Sequence, residues 1–246
     1  MKIKSLCFAG VMSVFAADFA QASVCDFNVI QSQRTDASNI FNVCKREAQA
    51  GNAEAQFNLG FMYFSGIGVK QNFKDAAKWV RKSAERGYAQ AQDSLGVMYS
   101  QGRGVQQSYA EGAKWFRKAA QQGLAGAQYN LGTMYTQGRG VQKNFTEAAK
   151  WFRKSAEQNV AEAQYNLGVL YDEGMGVSQD YSQAARWYKL AADQGHAEAQ
   201  NNLGLLFNSG LGVPMDAGTA MSWIAISCRN GYKVACDNYA KMNNMR

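Results

Sequence analysis

Apolar positions recur along this chain with two nested periods. Within residues 161–173, Ala163, Leu167, Leu170 and Tyr171 follow i, i+4, i+7, i+8 spacing, which draws one stripe along a helix. On a longer scale the whole pattern returns every 36 residues without an insertion, in units that begin at Ala53, Ala89, Ala125, Ala161 and Ala197. Five units cover residues 53–232. A sixth opens at Lys233 and ends after one helix length, and residues 37–51 match the second half of a unit.

The punctuation between stripes predicts two helices per unit. Gly168 interrupts the first stripe where a side chain would hold the neighbouring helix away. Gly174 then stops the helix and Gly176 continues the turn. The second helix starts at an N-cap residue, Asn72, Ser108, Asn144, Asp180 or Asp216 in the successive units. Three residues on stand Asp75, Glu111, Glu147, Gln183 and Thr219, at capping-box spacing. It stops at Gly87, Gly123, Asn159, Gly195 or Gly231, residues that tolerate a left-handed cap. A lone helical hairpin of this size cannot bury its stripe, whereas stacked copies can. The expected fold is all-α: a right-handed α-solenoid of 36-residue helix-turn-helix repeats with twelve helices. Residues 23–52 form an N-terminal capping segment with a half repeat, 53–232 the five repeats, and 233–246 a C-terminal capping helix.

The repeated residues A-x-A-Q-x-x-L-G-x-x-Y, then G-x-G-V, then A-x-x-W and A-A/S-A-E-x-G resemble the Sel-one-like repeat family, a relative of tetratricopeptide repeats with a slightly longer unit. The resemblance implies a curved scaffold that binds other proteins, usually without catalysis. The secreted setting and terminal cysteines also resemble the family's cysteine-rich secreted branch, although helix-bridging disulfides recur in many units there. Here only Cys228 and Cys236 have that kind of spacing.

The first 22 residues read as a secretory signal. Lys2 and Lys4 precede a short apolar run, and Ala20-Gln21-Ala22 is a small-x-small cleavage site, so cleavage is expected after Ala22. The run is shorter than the ~20 residues that a membrane-spanning helix needs, and no transmembrane segment is expected after cleavage. The chain of 246 residues carries 26 basic and 19 acidic residues, a net charge of +7, which permits an acidic partner without requiring one. After signal removal four cysteines remain, Cys25, Cys44, Cys228 and Cys236. Four cysteines in a secreted chain allow three pairings. They lie in two local groups, and the turn at Gly231 folds Cys236 back toward Cys228, so Cys25–Cys44 and Cys228–Cys236 are the expected bridges.

Candidate chemistry is sparse. One His cannot supply a zinc site, no C-x-x-C exists, and neither S-x-x-K nor K-T-G is present, against a β-lactam-hydrolysing reading. The G-x-G-V turns lack the G-x-G-x-x-G and βαβ context of a dinucleotide site. No catalytic residue, metal or cofactor is expected. Trp79, Trp115, Trp151, Trp187 and Trp223 share one repeat position and read as a core ladder. Lys78, Arg81 and Lys82, recurring as Lys114, Arg117 and Lys118 and as Lys150, Arg153 and Lys154, form a basic ridge suited to a polyanion or an envelope surface. Opposite the core stripe of the first helices lie Phe61, Val97, Thr133, Val169 and Leu205, with Phe57, Asp93, Tyr129, Tyr165 and Asn201 beside them. A row of Asn58, Asn130, Asn166, Asn202 and Asn238, with Ser94 replacing Asn once, flanks them and offers donors and acceptors to a peptide backbone. The expected partner-binding groove is Asn58, Phe61, Tyr129, Asn130, Thr133, Tyr165, Asn166, Val169 and Asn202, on the concave side. The function expected is a monomeric, periplasmic or secreted bacterial adaptor for a protein or peptide ligand, compatible with association with the envelope. Nucleic acid is disfavoured by secretion. A polyanion binder and a weak β-lactam-binding or hydrolysing protein are the alternatives.

Overall fold

The computed structural model describes residues 25–26 and 37–244. The proposed signal, residues 1–22, lies outside them. Among the described residues the chain forms twelve α-helices and no strand. They are α1 (Ala37–Gln49), α2 (Ala53–Ser65), α3 (Phe73–Glu85), α4 (Ala89–Gln101), α5 (Tyr109–Gln121), α6 (Ala125–Gln137), α7 (Phe145–Glu157), α8 (Ala161–Glu173), α9 (Tyr181–Asp193), α10 (Ala197–Ser209), α11 (Ala217–Arg229) and α12 (Lys233–Asn244). The result is an all-α repeat fold: α1 is a half repeat, α2 to α11 are five helix pairs, and α12 opens a sixth. The helices divide within α6, after Asn130, into two compact units, one carrying α1 to α5 and the other α7 to α12.

Local chemistry sets the helix ends where the sequence places them. Asn72, Ser108, Asn144, Asp180 and Asp216 each accept the N–H three residues on, at 3.0–3.2 Å. The reciprocal half of the capping box is not made by Glu111 and Glu147, whose carboxylates pair with Lys114 and Lys150. Asn159 adopts φ 65°, where the other four repeats have glycine.

The core depends on close approach within each pair. A Cβ placed on Gly132, in the middle of α6, would lie 2.7 Å from the Phe152 ring of α7. The same holds for Gly96 against Phe116 and for Gly168 against Tyr188. The second glycine of the turn acts between repeats. At Gly176 (φ 70°) a Cβ would sit 2.2 Å from the carbonyl carbon of Phe145, the first residue of the previous second helix. The G-x-G-V turn is therefore a point of contact with the neighbouring repeat as well as a bend.

The glutamine of A-x-A-Q supplies the polar half of the stacking. Gln56, Gln92, Gln128, Gln164 and Gln200 are all buried, and each donates from Nε2 to the carbonyl eight residues back, at the end of the preceding second helix. Each of those carbonyls also accepts the backbone N–H three residues on, so the glutamine takes up its second lone pair. The Oε1 atoms of Gln92, Gln164 and Gln200 accept in turn from the amides of Gln122, Gln194 and Asn230, so each of these glutamines joins three helices.

At the C-terminal end this strut becomes covalent. Cys228 occupies the carbonyl-acceptor position and Cys236 the glutamine position, and the two form a disulfide with Cα atoms 4.7 Å apart. The second bridge, Cys25–Cys44, has Cα atoms 4.9 Å apart and holds Cys25 in the buried cluster of Ile40, Phe41, Leu59 and Met62. Both pairings match expectation.

The Trp ladder matches it in part. Trp115 and Trp187 are buried, but Trp79, Trp151 and Trp223 are half-buried. Lys82, Lys118 and Lys154 lie over the rings of Trp79, Trp115 and Trp151, at 4.2–4.7 Å from the centroids. The residue that fills the core is the next one, Val80, Phe116, Phe152, Tyr188 or Ile224, because it is the one that faces the glycine. Phe152→Ala is accordingly expected to cost ~3–5 kcal/mol and Trp151→Ala roughly half of that. Urea denaturation of the two variants checks the order, and a larger loss for Trp151→Ala would restore the ladder as the anchor.

Candidate functional site

The candidate groove residues lie on the first helices, and the structure does not leave them open as a row. Asn58, Tyr129, Thr133, Asn166 and Val169 are buried, while Phe61, Asn130, Tyr165 and Asn202 are half-buried. The Asn side chains turn toward neighbouring helices. Asn58 Nδ2 donates to the Cys25 carbonyl at 2.6 Å, and Asn130 Nδ2 donates to Asp93 Oδ1 at 3.1 Å, across one repeat. Asn238, the same position in α12, donates to Asn201 Oδ1 at 2.9 Å. Offered in the sequence as donors to a peptide backbone, Asn58 and Asn130 are engaged within the fold instead. Their position points between adjacent first helices, where a buried donor must find a partner or cost ~1–3 kcal/mol.

In the unit that carries α7 to α12, polar side chains form a chain of neighbours. Asn238 donates to Asn201 and Asn201 Nδ2 donates to Asn202 Oδ1 at 3.2 Å; Asn202 lies beside the Tyr188 hydroxyl, which donates to Asp172 Oδ2 at 3.0 Å. Burial pushes the Asp172 carboxyl above its ordinary value, and the Tyr188 bond works against that. Reading positions one helix at a time does not find this chain, since its members come from four helices. One local sign exists: Tyr188 carries a hydroxyl where Phe116 and Phe152 carry none.

What stays accessible on this face is aromatic and apolar. Tyr165 stacks on His196 with ring centroids 4.5 Å apart, and Phe57 packs on Tyr88 at 5.5 Å. His196 also caps α10, its Nδ1 accepting the Ala199 N–H at 3.3 Å. Leu205 is exposed and Phe61 and Val97 are half-buried. Asp93 breaks the aromatic series of Phe57, Tyr129 and Tyr165. Burial raises its carboxyl to about 6, opposed by the bond from Asn130.

The basic ridge lies on the second helices as expected. Its lysines are exposed, but Lys114 and Lys150 are paired with glutamates. Arg81 and Arg153 reach across to the hydroxyls of Tyr99 and Tyr171 in the next repeat, the first at 2.7 Å. A cleft of about 550 Å³ opens beside Arg81 and Tyr99, bordered by Gln107 and Glu111. Among the described residues no group of three or more His, Cys, Asp or Glu is arranged to hold a metal ion.

The Sel1 repeat family model matches residues 53–88, 89–124, 125–160, 161–196 and 197–232. The chain is similar to a protective antigen of uropathogenic Escherichia coli that displays an SLR fold, with 40% identity and a TM-score of 0.79, over 82% of this chain and 43% of that one. It is also similar to a Sel1 repeat protein from Oxalobacter formigenes, with 33% identity and a TM-score of 0.78, over 89% of this chain and 87% of that one. A putative sel1-like repeat-containing protein of Acanthamoeba polyphaga mimivirus is 49% identical over 39 residues, which are 16% of this chain and 7% of that protein. The chain thus spans less than half the length of the E. coli antigen and a small part of the viral protein.

The raised carboxyl gives a pH prediction. Asp93 has a folded-state value near 6 against an ordinary 3.8, so its penalty is absent below pH 3.8, grows as pH rises to 6, and is complete above that. Asp93→Asn should therefore stabilise the protein at pH 7.5 by roughly 1–3 kcal/mol and leave it unchanged at pH 3.5. Thermal melts at both pH values check this. Equal shifts at the two would show that the carboxylate carries no penalty.

Proposed function

This chain belongs to the Sel1 repeat family, and from that premise we propose that it is a non-catalytic periplasmic or secreted adaptor that holds a protein or peptide partner against its first helices. Sel1 repeats form scaffolds that mediate protein interactions. The observation that carries the reading here is the side-chain character of the outward first-helix positions. Phe61, Val97, Tyr165 and Leu205 remain half-buried or exposed, where a helix face with no partner would be polar. The Asn row supports the face from beneath and is not counted among its contacts.

Two disulfides suit an oxidising compartment. No helix among the described residues is long and apolar enough to cross a membrane. With the signal read at residues 1–22, these features favour the periplasm or export. A polyanion reading rests on the exposed lysines of α3, α5 and α7. It is weakened because Lys82, Lys118 and Lys154 cover Trp rings, Lys114 and Lys150 pair with glutamates, and Arg81 and Arg153 brace neighbouring repeats.

A photo-crosslinking residue placed at Leu205 should yield a discrete protein adduct in intact cells, and the same residue at Lys150 should not. Leu205→Asp should lose the partner at least tenfold while its melting temperature stays within a few degrees of the parent. Adducts from Lys150 alone, lost in high salt, would transfer the function to the ridge.

A further inference from the structure

Within the five complete repeats the charges are sorted by helix, although α12, which opens the sixth, carries Lys233 and Lys241. The first helices α2, α4, α6, α8 and α10 contain no Lys or Arg, and they carry six acidic residues, Glu54, Asp93, Glu162, Asp172, Glu173 and Glu198. The second helices α3, α5, α7, α9 and α11 carry thirteen basic residues against six acidic. Helix stability explains part of this. Glu54, Glu162 and Glu198 stand in first turns, where the helix dipole favours an anion. It does not explain the rest. Last turns favour cations, yet none of the five first helices has a basic residue there, and α8 ends instead on Asp172 and Glu173, at the unfavourable pole.

These two carboxylates adjoin the most aromatic part of the open face in the unit carrying α7 to α12. Asp172 accepts from the Tyr188 hydroxyl, whose ring lies 5.9 Å from that of Tyr165; Glu198 lies 3.6 Å from His196, on which Tyr165 stacks; and Glu173 follows Tyr165 about two turns along the same stripe of α8. Tyr165 itself is half-buried on His196, Glu173 is exposed, and Leu205 is exposed on the next first helix. An aromatic face bordered by carboxylates, with no basic side chain on either helix, attracts an ammonium or guanidinium and repels an anion.

We propose that the face formed by α8 and α10 takes an extended, Lys- or Arg-containing segment of the partner protein, its cationic side chains seated between Glu173, Asp172 and Glu198 beside the Tyr165 ring. The proposal rests on the adaptor reading and names the chemistry of its partner. It runs against the total charge of the molecule, since +7 would by itself favour an acidic peptide.

Three fluorescein-labelled octapeptides, alternating Leu with Lys, Glu or Ser, test it by anisotropy with the full chain. The Lys-Leu probe should bind at least tenfold more tightly than the Glu-Leu probe, and should weaken as NaCl is raised from 50 to 500 mM. The double change Glu173→Gln and Glu198→Gln should weaken the Lys-Leu probe at least fivefold, while Lys150→Gln with Lys154→Gln leaves it unchanged. If the double variant melts early, Glu173→Lys on the exposed position carries the same expectation. Preference for the Glu-Leu probe, insensitivity to the glutamate changes, or no binding of any probe below millimolar concentration would each overturn the proposal. In those cases a crosslinked partner from Leu205 would still leave the adaptor reading standing, and its absence would remove both.

Discussion

The distance between the two helices of a repeat is set by a glycine in the first and a large side chain in the second. At Gly132 and Gly168 the missing Cβ lets the Phe152 or Tyr188 ring rest against backbone. A glycine inside a helix costs about 1 kcal/mol relative to alanine, and burial of an aromatic ring returns more than that. Once this contact is made, the rotation of the second helix is fixed. Its neighbouring residue, the tryptophan, is left nearer the rim, buried at Trp115 and Trp187 and half-buried at Trp79, Trp151 and Trp223, and in three repeats a lysine ammonium lies over it. The repeat can then tolerate no insertion, because a shift of one residue would set Trp151 or Arg153 against the glycine in place of Phe152.

Stacking of one repeat on the next is held by a second set of close approaches and by buried amides. The turn glycine meets the backbone at the start of the preceding second helix, and the glutamine closes the carbonyl at its end. Each first helix therefore grips both ends of the helix before it. Cys236 takes the place of that glutamine in the last helix, so the bond that elsewhere joins neighbours becomes a disulfide where the next repeat is incomplete. A covalent link between α11 and α12 adds stability there by restricting the unfolded chain.

The helices and their limits were legible because caps and left-handed turn residues act within four residues of themselves. The side on which a residue ends up was less so. Trp151 and Phe152 are adjacent, both large and both aromatic, and periodicity over a thirteen-residue helix separates them poorly. What decides is the partner twenty residues back, Gly132, which lies on another helix. The Asn row misled for a related reason. An amide that satisfies a neighbouring repeat and an amide that awaits a ligand have the same sequence, and Asn130 differs from a binding residue only through the Asp93 carboxylate 37 residues before it.

Electrostatics at this site depends on where charge is counted. Summed over the chain, the basic residues win and suggest an acidic partner. Assigned to helices, they fall on one side of every repeat, and several are engaged there with Trp rings, tyrosine hydroxyls or glutamates. A peptide on the proposed face would lie far nearer Glu173 and Tyr165 than the lysines of the second helices, and screening at physiological salt reduces interactions beyond ~8 Å. On that proposal the local carboxylates would outweigh the more numerous lysines on the other helix of each pair. Net charge governs how such a molecule is attracted at long range. The helix that faces a bound chain governs which side chains it can hold.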